Sequence, residues 1–100
     1  MLHIISKSPF ERNAMESCLR LAKPGSSVLL IEDGVYAAMA TAAHADGIAS
    51  RMEDYSFYVL GPDVSARGLG DSALVEGIEV VDYEGFVDLV AEHEVTQSWL

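Results

Sequence analysis

Val28-Leu29-Leu30-Ile31 is an unbroken apolar run closed by Glu32-Asp33-Gly34. A strand with one wet face alternates apolar and polar residues; a strand covered by helices on both faces does not, so this run reads as an interior strand of a parallel sheet. Upstream, Lys23-Pro24-Gly25 stops a helix that begins at Ser8-Pro9-Phe10-Glu11. There Ser8 suits the cap, Pro9 the first helical position and Glu11 the far side of a capping box. Phe10, Ala14, Met15, Cys18, Leu21 and Ala22 recur at three- and four-residue steps, which predicts one buried face that includes Cys18. Before it, Leu2-His3-Ile4-Ile5 reads as a first strand turning directly into that helix.

Downstream, Val35 to Ala45 carries six alanines and predicts a thin helix packed on more than one side. Asp46 to Tyr55 has no decisive pattern. Phe57-Tyr58-Val59-Leu60 reads as a third strand, ended by Gly61-Pro62-Asp63, with Asp63 a cap for a short helical turn to Arg67. Gly68, Gly70, Asp71 and Gly77 mark a loop before a fourth strand, Ile78-Glu79-Val80-Val81. Asp82 caps a last helix, Val81 and Phe86 form its hydrophobic staple, and Phe86, Leu89, Val90 and His93 continue its buried stripe. The chain closes on Gln97-Ser98-Trp99-Leu100, to which no element is assigned.

Strands alternating with helices at this spacing predict an α/β fold: a single compact domain over residues 1–100, with a mainly parallel four- to five-stranded sheet flanked by helices. Ligands and partners of such sheets gather at the carboxyl ends of the strands. Here those ends are Ser6-Lys7, Glu32-Asp33-Gly34, Gly61-Pro62-Asp63 and Asp82-Tyr83, an acidic rim.

Composition limits the function. One hundred residues, half of them hydrophobic, close one core. Six Lys and Arg against 16 Asp and Glu give a formal charge of −10, the wrong sign for nucleic-acid phosphates. Residues 1–25 hold four basic and two acidic residues, whereas residues 26–100 hold two basic and fourteen acidic ones. No basic stretch followed by a long apolar one opens the chain, so neither a signal peptide nor a membrane span is expected, and the expected compartment is the cytoplasm.

No GxGxxG or P-loop pattern follows a strand, and the acidic rim would repel phosphate. His3, His44 and His93 lie on different elements without local co-ligands, so no metal and no cofactor is expected. His93 fits the negative end of a helix dipole, and His3 reads as a core-edge residue. No GxSxG elbow is present. The adjacent pairs Glu32-Asp33 and Glu53-Asp54 point apart in regular structure and read as surface or capping carboxylates. Cys18, the only cysteine, has no second thiol for a disulfide or a CxxC site. Set in the third turn of its helix and away from the positive end, it reads as a small buried hydrophobe, with a persulfide acceptor as the alternative.

Met1-Leu2-His3, Lys7-Ser8-Pro9-Phe10, Leu29-Leu30-Ile31-Glu32-Asp33-Gly34-Val35, Tyr58-Val59-Leu60 with Asp63 and Ala66-Arg67-Gly68, Val81-Asp82-Tyr83 with Gly85-Phe86-Val87, and Gln97-Ser98-Trp99 together resemble the DsrH/TusB family. The segment Glu16-Ser17-Cys18-Leu19 and the Gly61-Pro62-Asp63 turn look closer to the DsrH branch of sulfur oxidation than to the TusB branch of tRNA thiolation. The resemblance implies a DsrEFH-like fold. It further implies a subunit of a heterohexamer, not catalytic alone, assembled with DsrE/TusD-like and DsrF/TusC-like chains. The sulfur-bearing cysteine lies on the DsrE/TusD chain, and sulfur passes to a DsrC/TusE-like carrier, so this subunit need not touch nucleic acid or membrane. Cys18 matches a cysteine of DsrH-type members. Arg12 and Arg20 on the basic first helix, Asp33 on the rim and Trp99 at the close are the interface candidates; Trp99 is equally open to packing within its own domain. Two other readings stay open: Cys18 as a secondary sulfur acceptor, and a free-standing acidic protein-binding module.

Overall fold

The computed structural model describes residues 1–7, 14–39, 45–70 and 74–99. The expected cap residues Ser8, Pro9 and Glu11, with Phe10, Arg12, His44, Asp71 and Leu100, lie outside the described residues, as do the side chains of Ala14 and Met15. Five strands, β1 (Leu2–Ile5), β2 (Ser27–Leu30), β3 (Ser56–Leu60), β4 (Glu79–Val81) and β5 (Thr96–Trp99), form one sheet in the order β4-β3-β2-β1-β5. Every pairing is parallel, with Ile4 opposite Leu29 on one side and Ser98 on the other.

From β1 to β4 the chain steps one strand at a time in a single direction, so right-handed crossovers put the intervening helices on one face. These are α1 (Ala14–Leu21), a 3-10 helix (Glu32–Ala38), α2 (Ala45–Ser50) and α3 (Gly61–Ala66). The last connection runs back from edge strand β4 to the opposite edge at β5, and the same handedness sends α4 (Tyr83–Glu92) across the other face. Two cores result. Ile5, Val28, Leu30, Phe57 and Val59 pack with Cys18, Val35, Ile48 and Val64 on the first face. Leu2, Ile4 and Leu29 pack with Leu89 of α4 on the second. Each fully buried Leu or Ile is worth about 1.5–3 kcal/mol, so the first, larger face carries most of the stability.

Several expectations need correction. Leu21 is 67% exposed; among the described side chains, Cys18 and Leu19 of α1 are buried, with Ala22 just past its end. The alanine-rich segment is not one helix from Val35 to Ala45: helical turns begin at Glu32, tighten into 3-10 geometry and stop at Ala38, and Met39 makes an isolated antiparallel bridge to Leu74. Ala37 and Ala38 are fully buried, as close packing on more than one side requires. Gly34 turns the chain there because a Cβ would collide with the backbone carbonyl of Ile5. Asp63 does not cap its own helix, whose first residue follows Leu60 without a side-chain cap. Val90 leaves the buried stripe of α4 and is exposed. Thr96-Gln97-Ser98-Trp99 is an edge strand, given its partner by β1.

Candidate functional site

Cys18 sits in the middle of the larger core with no measurable exposure. Burial pushes its thiol up to about 12, because a thiolate there would lose its hydration. The thiolate is the form that attacks sulfur, and burial disfavours it here. Among the described residues no group of three or more His, Cys, Asp and Glu is placed to hold a metal ion. No helix among them is long and apolar enough to cross a membrane.

At the carboxyl ends of β2 and β3 the rim is tied to itself. Glu32 takes a left-handed backbone, φ 49°, which costs a non-glycine residue free energy. Its N–H donates to Asp63 Oδ2 at 2.6 Å. Asp63 thus caps the start of the 3-10 helix across the sheet. Arg67 Nε donates to Asp33 Oδ1 at 2.9 Å, and its Nη1 donates to the Asp63 carbonyl at 3.3 Å. The Asp33 side chain, an interface candidate, is half exposed while held in this pair. Arg20 lies exposed in the last turn of α1, beside the exposed Leu21.

Trp99 of β5 donates its indole N–H to Nδ1 of His3 at 3.0 Å and packs against the larger core. His3 is buried. Accepting at Nδ1 leaves its proton on Nε2, and that buried Nε2 has no partner among the described residues. Burial first, and the nearby N-terminal ammonium second, lower the His3 pKa below its usual 6.5. His93, at the carboxyl end of α4, bonds through Nδ1 to the Leu89 carbonyl at 2.7 Å, the helix-end position its spacing implies.

The outer side of α4 is a surface that the buried-stripe reading missed. Tyr83 is 61% and Val87 66% exposed, and Val90 joins them. With Phe86 and Ala91 they line an open apolar groove. At about 100° per residue, Leu89, Phe86, Val90, Tyr83, Val87 and Ala91 occupy a continuous apolar arc of roughly 200°, twice the width a helix needs to cover a sheet. That excess was the available sequence signal. Glu84, Asp88 and Glu92 form the acidic column beside the arc.

The protein family described as "DsrH like protein" matches residues 7–96. A relative called Protein TusB from Pectobacterium parmentieri is 35% identical over 100 residues, spanning 99% of this chain and 100% of that one. Protein TusB of Serratia proteamaculans is likewise 35% identical over 99 residues, with the same coverage. Among solved structures, the ychN protein of Escherichia coli is similar with a TM-score of 0.83 over 98% of this chain and 97% of that one, at 13% identity, a likeness of fold.

Proposed function

The chain belongs to the DsrH-like protein family, and from that premise we propose that it is a non-catalytic, accessory subunit of a cytoplasmic sulfur-relay complex. Its companions are DsrE/TusD-like and DsrF/TusC-like chains in a heterohexamer. In such a relay an acceptor thiolate on the DsrC/TusE-like carrier attacks the outer sulfur of a donor persulfide. The donor thiolate leaves and the carrier becomes the persulfide, so sulfur moves without net oxidation.

One observation supports placing both thiols of that exchange on other chains. The only cysteine here is buried in the core, where loss of hydration holds its thiol in the protonated form, which disfavours it as nucleophile or leaving group. The name TusB on the relatives favours tRNA thiolation as the end use. The Glu16-Ser17-Cys18-Leu19 string favours the sulfur-oxidation branch and keeps it as the second reading.

The test is native mass spectrometry of this chain expressed with and without its two homologous neighbours, followed by incubation with inorganic polysulfide. The expected result is a complex in which another subunit gains about 32 Da, one sulfur atom, and this chain gains none. A gain on this chain that Cys18→Ser abolishes would make it part of the relay. A stable monomer indifferent to both neighbours would overturn the reading.

A further inference from the structure

We propose that the outer face of α4 is a docking surface for a different chain, one that presents an apolar ridge flanked by Lys or Arg. The apolar centre is built from Tyr83, Val87 and Val90, exposed on a helix whose inner side already seals the smaller core through Leu89 and Phe86. Contiguous apolar surface rimmed by charge is the signature of a contact site, in contrast to singly scattered exposed residues.

Charge decides the occupant. From Gly68 to Leu100 the chain has eight Asp and Glu and no Lys or Arg. Glu84, Asp88 and Glu92 flank the stripe on the helix itself, and Glu79 and Asp82 lie at its approach from β4. A second copy docking by the same face would set two such acidic columns against each other, which disfavours a two-fold homodimer. A basic rim on the partner converts the same acids into steering and registry. In the complex proposed above, that partner is one of the two homologous subunits; this identification rests on that reading.

The experiment uses the full chain co-expressed with both homologous chains and compares wild type, Val87→Glu and the double variant Glu84→Lys with Asp88→Lys. Both changes fall on exposed residues, and a thermal melt of each isolated variant within a few degrees of wild type shows that the fold persists. The expected result is that Val87→Glu weakens assembly at least about tenfold, as loss of an interface anchor does. The charge reversal should also weaken it, and more strongly in low salt than in high salt. A Val87→Glu chain that assembles as well as wild type would overturn this inference and leave the proposed function standing. A wild-type chain that never assembles with either neighbour would overturn both. A wild-type homodimer that Val87→Glu abolishes would show that the occupant is a second copy, against the partner assigned here.

Discussion

His3 and Trp99 meet through one hydrogen bond that exists only while the imidazole is neutral. Protonated histidine has two N–H donors and no acceptor, so Nδ1–H would face the Trp99 N–H and the bond would be lost. Because the folded-state pKa lies below the unfolded value of 6.5, the unfolded chain takes up the proton first. This contribution to stability is therefore complete above pH 6.5 and is lost as pH falls through the lowered folded pKa. Thermal melts and Trp99 fluorescence between pH 7.5 and 5 should show a loss of stability that Trp99→Phe reduces, and identical slopes for the two proteins would refute it. Trp99→Phe should also cost the isolated chain about 1–2 kcal/mol by leaving His3 Nδ1 without its donor. Cys18 makes a second prediction at this scale. With its thiol buried and protonated, a thiol probe should label the native protein far more slowly than the unfolded chain; fast stoichiometric labelling would reopen the acceptor role.

At the scale of elements, the strand-to-helix elbow after β2 is the most constrained join. Gly34→Ala should destabilise by at least about 2 kcal/mol, since the added methyl meets backbone that cannot rotate away. Asp63→Ala removes the acceptor of the Glu32 N–H and should cost about 1 kcal/mol, the usual worth of a cap, with Asp63→Asn retaining most of it. Arg67→Ala should cost less, because the Asp33–Arg67 pair is partly exposed and such pairs are worth under about 1 kcal/mol. Urea midpoints of the four variants test that ranking. The apolar run of β2, the Asp82 cap on Gly85 N and the turn after β3 were legible because each is written in adjacent residues. The elbow was not: Asp63 serves a helix 31 positions upstream, a partnership made only when β2 and β3 pair. β5 was hidden for a similar reason. Its Thr-Gln-Ser-Trp sequence lacks an apolar pattern, and its place is fixed by β1 and by the Trp99 contact. The exposed face of α4 was half legible, since an apolar arc too wide for one sheet contact can be counted from spacing alone.

Across the whole molecule, the same uneven charge acts in opposite senses on the isolated chain and on its assembly. The chain carries a formal charge of −10 on a body about 33 × 28 × 25 Å. At 0.1 M salt the screening length is about 10 Å, short enough to isolate opposite ends but too long to screen neighbouring acids on α4 from one another; at 1 M it is about 3 Å. Repulsion among Glu84, Asp88 and Glu92 therefore destabilises the isolated fold in low salt, as like charges four apart on a helix do. Screening should relieve about 0.5–1 kcal/mol of it and raise the melting temperature by about 2–6 °C between 0.05 and 0.5 M NaCl. The partly exposed Asp33–Arg67 pair responds the other way, but it is one contact against the sum over the acidic half. A partner with a basic rim reverses the sign, because salt then screens attraction. The melting temperature of the isolated chain should rise with salt while the assembly weakens. A fall in melting temperature would mean that favourable pairs outweigh the repulsion, and the acidic half would then be stabilised within its own chain with no need of a partner's cations.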